Sequence, residues 1–125
     1  MLLFLTGPAG AGKTTAIKAA KQFCYEFCSS CNIVWTDTSF LYTGYTGSAA
    51  SAFGECTIVK ASGMFTTTVS EVQHTEWSGV CILIIDEISF MTENELKKLD
   101  VRLRQYRDSN KVLGGYCIIF GGDFR

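Results

Sequence analysis

A lysine and two threonines follow directly on a glycine-rich segment close to the N-terminus. The segment GPAGAGKT, Gly7 to Thr14, satisfies the pattern G-x-x-x-x-G-K-[ST] and lies between an apolar run and a helical pattern. Glycines let successive backbone N–H groups point at one anion, and the start of the following helix adds partial positive charge. The pattern predicts a phosphate-binding loop made of the following residues: Gly7, Pro8, Ala9, Gly10, Ala11, Gly12, Lys13, Thr14 and Thr15.

The lysine and the first threonine of this pattern have separate predicted roles. Lys13 can reach the β and γ phosphates of a nucleotide as a point charge, and the Thr14 hydroxyl can ligate Mg²⁺. The sequence therefore predicts Mg-ATP as the ligand. The alternative is an ordinary glycine-rich turn that carries a surface lysine.

A pair of adjacent acidic residues, Asp86 and Glu87, ends the apolar part of CILIIDEIS. Two carboxylates at the end of a buried strand are costly unless a positive group lies beside them, and Mg²⁺ supplies that charge. Asp86 is predicted to hold the metal through its water shell, and Glu87 to orient and polarise the attacking water. The alternative is a pair of solvated acids that start a turn. The hypothesis requires Lys13 and Asp86 to lie at the same edge of the sheet.

Apolar runs indicate the strands that must position these groups: Leu2 to Leu5, Ile33 to Trp35, Val80 to Ile85 and Tyr116 to Phe120. Because the runs are continuous rather than alternating, they favour strands that are covered on both faces, as in parallel sheets. Helical patterns between the runs predict right-handed crossovers. The predicted fold class is therefore α/β, a P-loop domain with a parallel sheet of about four or five strands flanked by helices.

Helices are predicted in the segments between the apolar runs. The first opens inside the glycine-rich loop and runs toward Cys28, and a second, shorter one begins near Gly47. The third has Thr92 as its N-cap and Glu95 three residues further on. Its apolar stripe consists of Leu96, Leu99 and Leu103. Residues 55 to 79 are interpreted only as a mixed connection.

Composition restricts the class of protein. The chain has 125 residues, of which 47% are hydrophobic and 18% are charged, so it is long enough for one domain with a core and too apolar to be disordered. No apolar stretch has the length of a membrane span, and the apolar start lacks the basic flank of a secretory signal. A formal net charge of −1 provides no general attraction to nucleic acid.

The cysteines favour a reducing intracellular compartment, nuclear or cytoplasmic, with mitochondria as an alternative. Cys81 and Cys117 lie inside apolar runs, where cysteine behaves as a small buried hydrophobe. The spacing in CYEFCSSC invites an iron–sulfur or zinc interpretation. Cys24 and Cys28 fall four residues apart on the first predicted helix, however, and packing of one helix face explains them without a metal.

Two further groups of residues have both a binding and a packing interpretation. Phe40, Tyr42 and Tyr45 cluster before TGSAAS, near the expected carboxyl edge of the second strand. One of them could stack on a base there, with burial in the domain as the alternative. The segment from Thr92 to Lys111 is moderately rich in lysine and arginine, which predicts a solvated helix face, with phosphate contact as the alternative.

The last apolar run is followed by GDF in CIIFGGDFR. Together with GPAGAGKTT, YTGSAASAFGECTI and IIDEIS, this segment resembles the superfamily 1 DNA helicases of the Pif type, related to the RecD branch, over nearly the whole chain. The resemblance implies a RecA-like fold in which the loop and the acidic pair bind and hydrolyse ATP. It also implies that Thr46, Gly47 and Ser48 contact single-stranded DNA, and that Gly122 and Asp123 couple the γ phosphate to DNA.

The chain also departs from the pattern of that family. It stops at Arg125, before the glutamine that senses the γ phosphate, and Val59 stands where the family often has a histidine. The resemblance also implies a second motor domain with an arginine finger, which these 125 residues do not include. We therefore expect residues 1–125 to be a single ATP-binding domain, the first motor domain of a larger helicase. Weak Mg-ATP binding and hydrolysis near background are expected for this chain alone.

Two other functions stay open on the sequence. A nucleotide or small-molecule kinase would also use GPAGAGKT, although no arginine-rich lid is recognisable. A non-catalytic module that holds DNA or protein under the control of a nucleotide is the other alternative. The presence of both Lys13 and Glu87 favours a working site over an inactive one.

Overall fold

The computed structural model describes residues 1–6, 12–36, 38–47 and 57–122. The strands are β1 (Leu2–Thr6), β2 (Phe40–Gly44), β3 (Ile82–Asp86) and β4 (Cys117–Gly122). The helices are α1 (Lys13–Ser30), α2 (Ile58–Ser62), α3 (Glu71–Ser78) and α4 (Glu93–Arg107), with 3₁₀ turns at Ile88–Phe90 and Val112–Gly115. The helix predicted near Gly47 lies almost entirely outside the described residues.

The described strands form one parallel sheet in the order β1-β4-β3-β2. The ends of neighbouring strands are in register, with Thr6 opposite Gly122 and Gly44 opposite Asp86. Because the strands run in the same direction, the residues that follow them meet at one edge of the sheet, the carboxyl edge. The predicted α/β fold with a parallel sheet flanked by helices is confirmed.

Helices cover both faces of the sheet. On one face α1 contributes Ile17 to a buried cluster with Tyr42 and Ile84. On the other face α4 contributes Leu103 to a larger cluster that includes Ile85. Adjacent residues of β3 thus face opposite layers, as the pleat of a strand requires.

Helix α4 begins as the sequence predicts. The Glu95 N–H donates to Thr92 Oγ1 at 3.2 Å, and the Thr92 N–H donates to Glu95 Oε1 at 3.1 Å, which completes a capping box. Leu99 and Leu103 of the predicted stripe are fully buried, whereas Leu96 in the first turn is exposed. The stripe therefore enters the core from the second turn onward.

The predicted second strand is wrong. Ile33 to Trp35 form no strand, and Val34 is 81% exposed. The chain then turns, with the Thr36 N–H donating to Ser39 Oγ at 2.8 Å, and β2 follows as Phe40–Gly44. This strand is buried along its whole length and pairs with β3. A run of three apolar residues has no measurable period, and the aromatic segment FLYTG suits a buried strand better.

The side chains of β1 are more exposed than its continuous apolar run predicted. Leu2 and Leu3 are exposed, and Phe4 is 62% exposed although its ring stacks on Phe120 with centroids 5.1 Å apart. Among the described residues β1 pairs only with β4 and forms the edge of the sheet. Strand β2 lies at the opposite edge and is buried along its whole length, so edge position alone does not explain the exposure of β1.

The connection between residues 55 and 79, which the sequence left unassigned, contains the two short helices α2 and α3. Thr57 Oγ1 accepts the hydrogen bond that caps α2, and Ser70 forms a capping box at the start of α3. The buried Trp77 of α3 donates from Nε1 to a carbonyl of the α2 segment at 3.1 Å. In the part of the chain that the structure describes, no helix has the length and apolar character needed to cross a membrane.

Candidate functional site

The start of α1 carries the described part of the glycine-rich motif. Gly12 has φ 86° and ψ 11°, in the left-handed region that favours glycine, and its carbonyl accepts the first helical hydrogen bond at 3.0 Å. Lys13 is therefore the first helical residue, and Thr15 is exposed in the first turn. The first N–H groups of any helix lack acceptors inside it and attract anions. Gly7 to Ala11 and the Thr14 side chain lie outside the described part of the chain.

Helix α1 runs from the carboxyl edge of the sheet toward its amino edge. The later residues Phe23 and Phe27 line a groove with Phe40 and Ile82, which are the first residues of β2 and β3. The opposite end of the helix, with Lys13, therefore lies toward the edge at which the strands end. Lys13 and Asp86 therefore lie toward the same edge of the sheet. The sequence hypothesis required this arrangement.

Asp86 ends β3 with its carboxylate lying over Gly121 of the neighbouring strand β4. A Cβ atom at position 121 would lie 2.7 Å from Asp86 Oδ1, so the carboxylate occupies the space that a side chain would need. Asp86 Oδ1 also accepts from the Glu87 N–H at 2.8 Å, and Oδ2 accepts from the Tyr42 hydroxyl at 2.6 Å. These contacts fix the carboxylate at the carboxyl edge, on the face that α1 covers.

The sequence named Tyr42 as a candidate for base stacking and did not indicate its hydrogen bond to Asp86. Its ring is buried beside Ile84, and burial, followed by the hydrogen bond to Asp86, raises the pKa of Tyr42 above its usual value. The hydroxyl therefore stays protonated and continues to donate. Phe40 is also buried, so packing rather than base stacking accounts for both aromatic residues. Only the pairing of β2 with β3 reveals the contact between Tyr42 and Asp86. Tyr42 lies opposite Ile84, and Asp86 follows Ile84 by two residues on the same face of the sheet.

Glu87 is held by a residue that follows the adjacent strand. It leaves β3 in the left-handed conformation, with φ 58° and ψ 37°. Its Oε1 accepts from the Thr46 hydroxyl at 2.6 Å and from the Thr46 N–H at 3.2 Å. The candidate hydrolytic carboxylate and a candidate DNA contact are thus in direct contact, which the sequence did not indicate.

Tyr45 ties the segment after β2 to the start of α4. Its N–H donates to the Asp86 carbonyl at 3.1 Å, and its hydroxyl lies 3.1 and 2.9 Å from the two carboxylate oxygens of Glu95. The ring stacks on Phe90 with centroids 6.4 Å apart. The Thr92 N–H, together with the Tyr45 hydroxyl, holds the pKa of Glu95 below its usual value. Glu95 therefore stays an acceptor and keeps Tyr45 in place.

The other predicted DNA and coupling residues are only partly described. Gly47 is exposed and follows Thr46 directly. Gly122 is buried at the end of β4, beside the last residue of β1. Ser48 and Asp123 lie outside the described residues.

The cysteines form no metal site in the described part of the chain. There, no three His, Cys, Asp or Glu side chains are close enough together to hold an ion. Cys24 and Cys28 are half-buried on one side of α1, where they border the groove formed with β2 and β3. The predicted burial of Cys81 is wrong. Cys81 is exposed because it precedes the first residue of β3.

The basic residues of α4 divide into two groups. Lys97 and Lys98 are exposed, as predicted for a solvated face. Arg102 is buried and donates to the Thr66 carbonyl, so the prediction is wrong at this position. Arg107 donates to a backbone carbonyl at 2.7 Å and lies over the Tyr116 ring, 4.0 Å from its centroid. Both arginines therefore stabilise the fold.

Asp86 has the donor chemistry of a magnesium site. Mg²⁺ prefers oxygen ligands and keeps several of its waters. An ionised carboxylate offers about four lone-pair positions, and the hydrogen bonds from Tyr42 and from the Glu87 N–H use one on each oxygen. The remaining positions fit a metal ion or its bound water. The described residues are therefore compatible with Mg²⁺ at this edge.

Fold and site together define a class of protein. A parallel sheet with helices on both faces places a glycine-lysine-threonine helix start and an acidic strand end at the same edge. This combination is typical of P-loop domains of the RecA-like type.

Comparison with known proteins identifies the family. A family model described as PIF1-like helicase matches residues 1–125. The ATP-dependent DNA helicase RRM3 of Saccharomyces cerevisiae is 29% identical over 133 residues, which cover 98% of this chain and 17% of that protein. The ATP-dependent DNA helicase PIF5 of Trypanosoma brucei brucei is 32% identical over 127 residues, which cover 98% of this chain and 14% of that protein. The chain belongs to the PIF1-like helicase family.

Solved structures of relatives have the same fold. Bacteroides Pif1 bound to single-stranded DNA superposes with a TM-score of 0.80 at 26% identity, and the match covers 98% of this chain and 28% of that one. Pif1 from Candida albicans superposes with a TM-score of 0.79 at 26% identity, covering 99% of this chain and 29% of that one. The chain thus spans less than a third of these proteins.

Proposed function

We propose that this chain is the ATP-binding first motor domain of a DNA helicase, in which ATP hydrolysis drives movement on single-stranded DNA within a longer protein. One observation carries the proposal: Glu87, after β3, is hydrogen-bonded to Thr46, after β2, so the hydrolytic and DNA-contacting residues share one edge of the sheet. Membership of a family whose members include ATP-dependent DNA helicases favours this function over a kinase.

Each of the residues at this edge has a separate role in ATP hydrolysis. The N–H groups at the start of α1 and the Lys13 ammonium bind the phosphates of ATP. Asp86 and Thr14 would hold Mg²⁺, which when bound neutralises phosphate charge and orients the triphosphate. Tyr42 fixes the Asp86 carboxylate by its hydrogen bond. Glu87 orients and polarises the attacking water.

The DNA side of the proposal uses the segments that follow β2 and β4. Thr46, Gly47 and Ser48 would contact the strand, and Gly122 with Asp123 would transmit the state of the γ phosphate. A motor of this kind moves by opening and closing a cleft between two domains that each grip the strand. Stepping therefore needs a second domain, and this chain supplies one wall of the cleft.

The test is ATP hydrolysis measured with and without single-stranded DNA, in the 125-residue chain and in a longer form that extends beyond Arg125. We expect near-background hydrolysis by the chain and DNA-stimulated hydrolysis by the longer form. Lys13→Ala and Glu87→Gln should abolish this activity, and the control Lys21→Ala, two turns further along α1, should keep it. Phosphate transfer to a nucleoside monophosphate would instead identify a kinase. DNA retention that depends on ATP without turnover would identify a non-catalytic module.

A further inference from the structure

Within residues 1–6, 12–36, 38–47 and 57–122, the Glu87 carboxylate accepts its hydrogen bonds from Thr46. Its Oε1 accepts the Thr46 hydroxyl at 2.6 Å and the Thr46 N–H at 3.2 Å. The hydroxyl bond has the length of a charge-assisted hydrogen bond, which is about twice as strong as a neutral one. The Glu87 side chain is therefore directed toward the end of β2.

The segment that carries Thr46 is anchored yet accessible. Tyr45 fixes its backbone by donating to the Asp86 carbonyl at 3.1 Å and to the Glu95 carboxylate through its hydroxyl. Thr46 itself is half-buried, and the adjacent Gly47 is exposed. Thr46 is thus partly exposed to solvent on a segment whose backbone is held in place.

A threonine hydroxyl carries one proton and donates to one acceptor at a time. Phosphate oxygens of nucleic acids commonly accept hydrogen bonds from threonine hydroxyls. A hydrogen bond from Thr46 to a DNA phosphate must therefore replace the hydrogen bond to Glu87. The carboxylate then loses its shortest hydrogen bond and gains an anionic neighbour, and both changes favour a different orientation of its side chain.

We infer that Thr46 is a positioning residue that keeps Glu87 in a resting orientation, and that a phosphate of single-stranded DNA takes over the Thr46 hydroxyl and releases Glu87 toward the attacking water. The inference rests on the proposed function and adds the means by which DNA stimulates hydrolysis. A positioned general base contributes about 10²–10⁴-fold to rate. Control of this one carboxylate is therefore large enough to make turnover depend on DNA.

The test uses Thr46→Val, which removes the hydroxyl and keeps the shape of the side chain, in the longer form of the protein. We expect its DNA-free hydrolysis to rise roughly tenfold, less than the full effect of a general base because the backbone N–H still binds Glu87. The conservative variant Thr46→Ser should restore the low DNA-free rate and the stimulation by DNA. Thr46→Val combined with Glu87→Gln should return to background, because the rise depends on Glu87.

A second measurement does not depend on activity. The ¹³C chemical shift of the Glu87 carboxyl in the 125-residue chain, without DNA, should move in Thr46→Val and stay near the wild-type value in Thr46→Ser. An unchanged shift in Thr46→Val would overturn the positioning role.

The kinetic outcomes separate the inference from the proposed function. If the wild-type longer form is stimulated by DNA but folded Thr46→Val shows no rise in its DNA-free rate, Thr46 is only a DNA contact or a structural residue, and the inference is wrong. If the wild-type longer form shows no stimulation, the proposed function is wrong and the inference with it. Weaker oligonucleotide binding by Thr46→Val, measured by fluorescence polarisation, would be expected of a DNA contact alone and cannot account for a faster DNA-free rate.

Discussion

Replacing Gly121 by alanine is predicted to displace Asp86, the candidate Mg²⁺ ligand, while the fold persists. The new Cβ would lie 2.7 Å from Asp86 Oδ1 and 3.4 Å from Asp86 Cγ, and the first distance is shorter than side chains in proteins tolerate. The backbone of β4 is held in the sheet, on one side by β1 and on the other by β3. The Asp86 carboxylate must therefore move, rather than the strand.

The magnitude follows from what that movement breaks. The carboxylate accepts from the Tyr42 hydroxyl at 2.6 Å and from the Glu87 N–H at 2.8 Å. Hydrogen bonds to charged groups contribute about 1.5–3 kcal/mol each, and an extra methyl in a packed site costs about 1–3 kcal/mol. Water at the edge of the sheet replaces part of the loss, so we expect the free energy of unfolding to fall by about 2 kcal/mol. For a domain of this size the melting temperature should fall by roughly 5–10 °C.

The assay for Gly121→Ala combines urea unfolding with titration of a fluorescent adenine nucleotide, with Mg²⁺ and with EDTA. Binding with Mg²⁺ should weaken about tenfold, equivalent to about 1.4 kcal/mol, while binding in EDTA should change little. Gly79→Ala is the matched control, since its new Cβ would meet its nearest atom at 3.6 Å and its φ is −87°. Wild-type stability together with wild-type magnesium dependence in Gly121→Ala would refute the role given to Asp86.

Three further perturbations test individual contacts. Tyr42→Phe should lower the free energy of unfolding by about 1–2 kcal/mol, and a double-mutant cycle with Asp86→Asn in urea unfolding should show that most of this loss requires the carboxylate. Although burial raises the pKa of Asp100, hydrogen bonds from Arg104 and a backbone N–H lower it on balance. Its stabilising contribution is thus present above the ordinary carboxyl pKa of about 3.9 and lost as pH falls through the lowered value, so urea unfolding at pH 5 and pH 3 should show a smaller pH dependence in Asp100→Asn. Thr92→Ala should cost about 1 kcal/mol in thermal unfolding followed by circular dichroism, and Thr92→Ser should cost much less.

The edge at which the site lies could be predicted from the sequence. GPAGAGKT follows one apolar run and Asp86 ends another, and parallel connections bring the carboxyl ends of strands to the same edge. The start of α4 was equally predictable, because Thr92 and Glu95 have the spacing of a capping box. In each case the signal is local in the chain, so no knowledge of strand register is needed.

The second strand could not be placed in the same way. Ile33 to Trp35 are apolar and were favoured on that ground, but apolarity alone does not show which segment pairs with β3. The strand forms at Phe40–Gly44, where two of the aromatic residues are buried beside α1. The sequence offered these aromatic residues as candidates for stacking, with burial as the alternative, and did not place them in a strand.

Because the second strand was misplaced, the contacts between β2 and β3 that define the candidate site could not be predicted. Tyr42 and Asp86 are 44 residues apart in sequence, and Thr46 and Glu87 are 41 apart, so only the register of β2 with β3 brings them together. With Gly44 opposite Asp86, Tyr42 precedes the end of β2 by two residues and lies on the face of the Asp86 side chain, while Thr46 and Glu87 follow two adjacent strand ends. The same register therefore fixes the candidate metal ligand Asp86 and joins the proposed hydrolytic carboxylate to the segment proposed to contact DNA. A change in the pairing of β2 is expected to disturb both proposed roles together, since they depend on one strand end.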